Sequence, residues 1–253
     1  MEDKNVIRVV DSTALFYMGG AYYVIYYLRN LSKKKGLVIP VFDVGSPLKK
    51  KVLGSYKKNR SHKSKFDWSS YDFGIKLAKQ LWPVLTKKGI EADEIIATLP
   101  YYYNNKKIVI YTVDSDLYQL VDENVSIFNI RKKSTITPKN FEKITGLPKD
   151  LFVLNKILVG DRSDNIKGII TKVKFRKIFL EHNSKEKEKF EKVLANPDVI
   201  KTVMVNSYLI KLWPNFALLD WIDNVLSNFK PCRKCFKKLI MQKKDKRFID
   251  FIL

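Results

Sequence analysis

Val6-Ile7-Arg8-Val9-Val10-Asp11, Val38-Ile39-Pro40-Val41-Phe42-Asp43 and Ile108-Val109-Ile110-Tyr111-Thr112-Val113-Asp114 are three short apolar runs, and each ends on an aspartate. Near-continuous Val/Ile runs of this length read as buried parallel strands. In open α/β sheets the carboxyl ends of the strands open onto the crevice where ligands bind. Two more acidic clusters, Glu91-Ala92-Asp93-Glu94 and Asp161-Arg162-Ser163-Asp164, together with Asp116, enlarge the acidic set at element junctions. Taken singly, each cluster has an ordinary structural reading: acids in a helix first turn, an N-cap after a strand, or a turn. Capping needs one acid per helix, however, and these junctions present two or three. Carboxylates that crowd together do not all stay ionised without a counter-ion. An oxygen-only donor set points to Mg²⁺, with Mn²⁺ as its substitute.

Outward from the strands, Ala21–Leu31 has an apolar, aromatic-rich helical pattern that stops at Ser32-Lys33-Lys34-Lys35-Gly36, and the second strand follows at once. Cations in a last turn followed by Gly are a normal helix stop, so the chain begins as a βαβ unit. Asp72–Lys88 reads as an amphipathic helix with Leu77, Leu81 and Trp82 as its core stripe and a kink at Pro83. Gly89–Ala97 turns into a further helix that carries its acids first. A weaker strand (Val125–Ile130), an extended piece (Thr135–Thr137), a helix start at Pro138 and a helix over Leu151–Val159 come next. The remainder is helical and basic, with breaks at Trp213-Pro214 and Lys230-Pro231. The expected fold is α/β, a mostly parallel central sheet with helices on both faces, followed by a C-terminal helical region. Residues 1–165 are expected to form the α/β domain, with a basic segment at about 45–70, and residues 166–253 a helical, basic region.

The chain's 253 residues carry 48 Lys+Arg against 26 Asp+Glu, a net charge of +22. An acidic hollow in a basic body suits a polyanion held broadly and attacked at one point, and nucleic acid fits that description. From Lys49 to Lys65 there are eight Lys/Arg residues and no Asp or Glu. Within this segment Lys57 and Arg60 are three apart and share a face on a helix, where they would meet one phosphate. Tyr56 would offer a ring to an unpaired base, and Lys58 and Lys63 further phosphate contacts. No run reaches the roughly 18 apolar residues of a membrane span, and Met1–Asn5 is acidic and unlike a signal peptide, so a cytoplasmic protein is expected. Cys232 and Cys235 are read as two plain thiols, with His62 and His182 too distant in sequence to complete a zinc site. Tyr101-Tyr102-Tyr103 reads as packing at a helix end.

Taken in order, Asp11, Val41-Phe42-Asp43, Tyr56-Lys57-x-Asn59-Arg60, Gly89-x-Glu91-Ala92-Asp93-x-Ile95-Ile96-Ala97, Thr112-x-Asp114-x-Asp116-Leu117 and Gly160-Asp161-x-Ser163-Asp164-Asn165 resemble the 5′→3′ exonuclease and flap-endonuclease family. The free-standing bacteriophage members, including the phage RNase H type, are nearest in length. The resemblance covers about residues 6–168. It implies that Asp11, Asp43, Glu91 and Asp93 hold a first metal with Glu94 close by, and that Asp114, Asp116, Asp161 and Asp164 hold or approach a second. It further implies a basic arch over the site and catalytic roles for Lys57 and Arg60. The substrates would be branched, nicked or 5′-flapped DNA and RNA–DNA hybrid. Apart from the resemblance, a monomer acting in replication is the default, and the end, Arg247–Leu253, reads as a last helix packing on the core, with docking of a replication protein partner as the alternative.

Two departures stand out. The family's Asp-Asp pair is Asp93-Glu94 here. The helix–hairpin–helix whose Gly-x-Gly amides grip the duplex, often with a K⁺ ion, is reduced to Gly168-Ile169-Ile170-Thr171-Lys172. Lys167, Lys172, Lys174, Arg176 and Lys177 are expected to bind the duplex by charge instead. Two other readings stay open at this stage: a structure-selective DNA-binding protein without activity, and a PIN-type ribonuclease.

Overall fold

The structure, a computed structural model, describes residues 6–44, 52, 54, 66–243, 247 and 248. In chain order the first elements are β1 (Ile7–Asp11), α1 (Ser12–Leu31), β2 (Leu37–Val41), α2 (Trp68–Leu81), α3 (Ala92–Tyr102), β3 (Ile108–Thr112), β4 (Val125–Asn129) and β5 (Ser134–Ile136). The five strands form one sheet in the order β2-β1-β3-β4-β5, parallel except for β5. The mostly parallel sheet expected from the apolar runs is thus present, and each expected aspartate stands at or two residues beyond a strand's end.

Strand alternation sorts the side chains. Val10, Val38 and Tyr111 share one face and pack with Val24, Leu28, Tyr71, Leu77 and Ala78 of α1 and α2. The opposite parity in β1, β2 and β3 carries Val9, Ile39 and Ile110, all fully buried, and then Asp11 and Thr112. Burial on both faces is why these strands read as continuous apolar runs.

One helical expectation is met and one needs correction. The helix expected over Ala21–Leu31 is present, and a further helical stretch from Ser12 precedes it, the two separated by non-helical backbone at Gly19 and Gly20. Gly20 sits at φ +69°, a conformation that Gly adopts without strain, so the glycine pair makes the kink between the two helical stretches. Pro83 does not kink a helix. α2 starts at Trp68 and stops at Leu81, Trp82 is extended, and Leu85 forms a parallel bridge with Val41. The residue before a proline is pushed toward extended backbone, which ends the helix there.

Further along come α4 (Phe141–Thr145), α5 (Lys149–Val159), the hairpin β6 (Gly160–Asp161) and β7 (Ile166–Lys167), then α6 (Lys172–Phe179), α7 (Ser184–Leu194) and α8 (Pro197–Ile210). Gly168 is required by close approach, since a Cβ there would collide with the Val159 carbonyl. The chain closes with α9 (Leu219–Ser227) and α10 (Arg233–Lys243). The molecule divides into two compact units. Of the described residues, 6–44, 66–138, 212–243, 247 and 248 belong to the first, and 52, 54 and 139–211 to the second. Phe248 is buried in the first unit's core, against Tyr22 and Phe73.

The cysteines are a further correction. Cys232 and Cys235 are joined as a disulfide, not held as separate thiols. The three-residue spacing at the start of α10 brings their Cα atoms to 5.3 Å, within the range a disulfide spans. Among the described residues no helix is long and apolar enough to cross a membrane.

Candidate active site

The carboxyl edge of the sheet is built around two hydrogen-bonded chains in the first unit. Asp11 is the last residue of β1 and also caps α1, its Oδ1 accepting from the Ala14 amide at 3.0 Å. Its Oδ2 accepts from the Thr112 hydroxyl at 2.8 Å. The same Thr112 oxygen accepts from the Asp114 amide at 2.9 Å, and Asp114 Oδ1 accepts from the Asp116 amide at 2.9 Å. Thr112 therefore couples the ends of the adjacent strands β1 and β3 and fixes the turn that carries Asp114 and Asp116. Sequence reasoning quoted Thr112 as part of a motif without giving it a role. The parallel register, which sets Val10 opposite Tyr111, is what reveals it.

Asp43 is held by a second arrangement. Its amide donates to the Thr13 hydroxyl at 2.8 Å, and its carbonyl accepts from the Tyr71 hydroxyl at 2.9 Å. Thr13 and Tyr71 are themselves 2.8 Å apart. Because the single Tyr71 proton goes to the Asp43 carbonyl, Thr13 donates to Tyr71, and the three groups close a ring. Asp43 Oδ1 accepts from the Ala92 amide at 2.6 Å, at the first turn of α3. Glu91, buried, is the N-cap of α3, and Asp93 and Glu94 lie in its first turn. The positive end of the helix dipole favours these acids.

The electrostatics follow from this packing. Burial, reinforced by the charges of Asp43 and Asp114, pushes the Asp11 carboxyl up to about 7, although its hydrogen bonds from Ala14 and Thr112 pull the other way. Burial also raises the Tyr71 hydroxyl, helped by the charges of Asp43 and Asp11, so it stays a proton donor. Among the described residues no group of three or more acidic, His or Cys side chains converges closely enough to grip an ion as placed. The donor chemistry nonetheless fits a hard divalent cation: the ligands are all oxygen, and Asp11 feels the repulsion that such a cation relieves.

Beside the Asp43 ring lies an aromatic ladder that the sequence reading did not single out. Tyr71 stacks edge-on against Phe66 at 5.2 Å, and Phe66 meets Tyr17 at 5.0 Å and Trp68 at 4.5 Å. Tyr17 and Trp68 are 69% and 62% exposed.

Asp161 and Asp164 belong to the second unit. Asp161 Oδ1 accepts from the Ser163 amide at 2.8 Å and its hydroxyl at 2.6 Å, and the Lys156 ammonium lies 3.6 Å from Oδ2. Burial works to raise this carboxyl, but the Ser163 bonds and Lys156 outweigh it and hold it below the usual carboxylate range. Lys156 is a partner that sequence reasoning missed. Asp164 is buried. Lys167, Lys172, Lys174, Arg176 and Lys177 are exposed, and Arg176 pairs with Glu181 at 3.3 Å. Tyr56, Lys57, Lys58, Arg60 and Lys63 lie outside the described residues.

Removing the Tyr71 hydroxyl tests the ring around Asp43. Tyr71→Phe is expected to slow any metal-dependent reaction at this edge by about 10–100-fold, the usual effect of losing a group that orients a ligand, and to weaken metal binding with it. Titration of the variant with Mg²⁺ in the activity assay separates the two effects.

A family model described as 5′-3′ exonuclease, N-terminal resolvase-like domain, matches residues 8–146. The 5′-3′ exonuclease of Buchnera aphidicola subsp. Schizaphis graminum is 31% identical over 145 residues, covering 56% of this chain and 50% of the relative. The 5′-3′ exonuclease of Aquifex aeolicus is 32% identical over 152 residues, 56% of this chain and 51% of the relative. The chain thus spans about half the length of these curated relatives. Among solved structures, the T5 D15 protein co-crystallized with metal ions superposes with a TM-score of 0.70 at 18% identity, over 93% of this chain and 98% of that one. The catalytic core of Rad2 in complex with DNA substrate gives 0.52 at 17% identity, over 94% and 91%. These likenesses show the fold.

Proposed function

Because the chain belongs to the 5′-3′ exonuclease family, we propose that it is a metal-dependent 5′→3′ exonuclease and flap endonuclease that hydrolyses phosphodiester bonds at 5′ ends and flaps. The observation that carries this reading is the acidic edge itself. Asp11 and Asp114 are tied together through Thr112, and Asp43 is fixed by its own ring. Burial, with the charges of Asp43 and Asp114 adding to it, pushes the Asp11 carboxyl up to about 7, a perturbation of the kind that marks a functional carboxylate.

In this reading Asp11, Asp43, Glu91 and Asp93 hold a first divalent ion, with Glu94 adjacent, and Asp114 and Asp116 serve a second. Asp161 and Asp164 are assigned to the second ion from their motif. Mg²⁺ is the expected ion, with Mn²⁺ as substitute. When bound, such ions polarise a water and offset charge at the scissile phosphate. The chain's own contributions are orientation and charge. Thr112 and Tyr71 hold the carboxylate-bearing backbone in place before substrate arrives. Lys57 and Arg60 stabilise the charge that builds on the phosphoryl oxygens. Tyr17 and Trp68, exposed beside the Asp43 ring, supply ring faces for an unpaired base near the reacting end.

We assign residues 1–165 to cleavage and 166–253 to duplex binding, where Lys167, Lys172, Lys174, Arg176 and Lys177 meet phosphates without a Gly-x-Gly turn. K⁺ has no assigned role. The expected substrates are 5′-flapped, nicked or branched DNA and RNA primers on DNA, acted on by a monomer in the cytoplasm during replication. Lys57→Ala is expected to lower the single-turnover rate at least about tenfold, or about 1.4 kcal/mol of barrier, if the lysine meets the transition state. A loss seen only in affinity would make it a phosphate anchor.

The decisive experiment incubates a 5′-flapped duplex and an RNA-primed variant with the protein in Mg²⁺ and in EDTA. Short products from the 5′ side in Mg²⁺ alone support the reading. Tight binding without cleavage in either Mg²⁺ or Mn²⁺ replaces it with a structure-selective binding protein. Cleavage confined to single-stranded RNA replaces it with a ribonuclease.

A further inference from the structure

α10 opens on a pair of cysteines three residues apart. The Cys232 carbonyl accepts from the Phe236 amide at 3.0 Å, so Cys232 is the helix N-cap and Arg233 its first helical residue. The Cys232 sulfur accepts from the Cys235 amide at 3.2 Å, the place where a capping side chain meets a first-turn N–H. Cys232 is half-buried and Cys235 is exposed.

Other contacts already place this helix. Phe236 and Ile240 are buried in the first unit's core, and the Cys232 amide donates to the Gln80 carbonyl of α2 at 2.7 Å. The disulfide spans a single helical turn, which the Phe236 amide bond also closes. A loop this short removes less entropy from the unfolded chain than a long one does. An exposed disulfide that adds little to the fold belongs to the labile class, not to the staples.

The surroundings suit a thiolate. Between Asp223 and Asp245 the sequence carries seven Lys/Arg residues and no Asp or Glu, and Arg233 and Lys234 stand in the helix's first turn. A sulfur at a helix N-terminus, accepting an amide hydrogen bond and flanked by cations, is stabilised as the thiolate. A stabilised thiolate is also the better leaving group in disulfide exchange.

We propose that Cys232 and Cys235 are a redox-active dithiol–disulfide pair, a reversible modification site that exchanges with small-molecule thiols and disulfides. In reduction a small thiolate attacks the exposed Cys235 sulfur, the S–S bond breaks, and its electron pair leaves on Cys232. A mixed disulfide then sits on Cys235. A second thiolate attacks the outer sulfur of that mixed disulfide, which frees the Cys235 thiolate and leaves the two small molecules joined as a disulfide. Two electrons pass to the protein, and the protons of the two small thiols end on the cysteine sulfurs or in solution. Oxidation is the reverse: the Cys235 thiolate attacks a small disulfide, and Cys232 then displaces the small thiolate from it. The inference is independent of the proposed nuclease activity, because the pair shares no residue with the acidic edge.

The test places the full chain in glutathione buffers that run from wholly reduced to wholly oxidised. Samples are quenched, alkylated under denaturing conditions and weighed intact by mass spectrometry. Both cysteines are expected to pass together between two alkylated thiols and one disulfide, with the same midpoint approached from either direction. C232S keeps Cys235 alone and is expected to hold glutathione as a mixed disulfide, at least about tenfold above the wild-type level, because nothing displaces it. A wild-type disulfide that survives reduced glutathione overturns the proposal in favour of a structural staple. Two alkylated thiols, or two glutathione adducts, in oxidised glutathione overturn it in favour of unconnected thiols. Equal adduct in C232S and wild type removes the resolving role from Cys232 and overturns it as well.

Discussion

Asp43→Asn is expected to lower single-turnover cleavage of a flapped duplex by at least about a thousandfold, roughly 4 kcal/mol of barrier, while changing duplex affinity by less than about twofold. The structure explains why the two effects separate. An asparagine at 43 keeps the backbone amide that donates to Thr13 and the carbonyl that accepts from Tyr71. It also keeps a side-chain oxygen for the Ala92 amide at the first turn of α3. The ring and the helix start therefore survive, and only the negative charge is lost. A cation's hold on the site depends on that charge, whereas the phosphate contacts assigned to the basic residues do not. Asp114→Asn should behave alike, since its amide bond to Thr112 and its oxygen for the Asp116 amide both persist. Rapid-quench rates and fluorescence anisotropy on the same preparations would measure both quantities. Wild-type turnover in either variant would remove that residue from the metal set, and a parallel loss of binding would mean that the carboxylate shapes the DNA site instead.

The sheet and its acidic edge were legible in the sequence because the same physics produces both signals. Strands buried on both faces read as unbroken apolar runs, and a charged residue that ends such a run marks the place where the sheet meets solvent or ligand. Side chains that act through a neighbour left no such mark. Thr112 reads as one more β-branched strand residue, and its bridging role exists only in the register between β1 and β3. Tyr71 reads as a core aromatic and is one, being 2% exposed, yet its hydroxyl reaches the Asp43 carbonyl from a helix 28 residues away. The first part of α1 was hidden because Gly19-Gly20 interrupts the helical pattern, and the glycines that obscure it also make the turn. The C-terminal stretch reads as part of a basic, helical region. Burial of Phe248 agrees with the reading of the chain's end as a last helix packed on the core, whereas its neighbours there, α1 and α2 together with Phe236 and Ile240, are a long-range fact that no local pattern records.

Asp11→Asn is expected to abolish cleavage and at the same time to raise the thermal midpoint of the metal-free protein at pH 8. The Asp11 carboxyl is raised from 3.8 to about 7 in the folded protein, first by burial and then by Asp43 and Asp114. Below about pH 4 it is protonated in both the folded and unfolded chains and costs nothing. Between there and pH 7 the unfolded chain releases the proton while the folded one retains it, so stability falls as pH rises. Above pH 7 the cost is complete, on the order of 4 kcal/mol at 1.36 kcal/mol per unit. Asparagine avoids that cost and still serves as the cap of α1, because its oxygen accepts from Ala14. For a chain of this size each kcal/mol moves the midpoint by about 2–4 °C, so a rise of at least about 4 °C is expected at pH 8, shrinking toward zero at pH 4. Mg²⁺ favours the ionised carboxyl and should raise the wild-type midpoint more at pH 8 than at pH 5, an increment that Asp11→Asn largely loses. Differential scanning fluorimetry across pH, with Mg²⁺ and with EDTA, reads all of these effects. A variant destabilised equally at every pH would show that Asp11 is chiefly a structural cap. A variant stabilised at pH 8 yet inactive would show that the fold bears an electrostatic cost at this position for the sake of binding a cation.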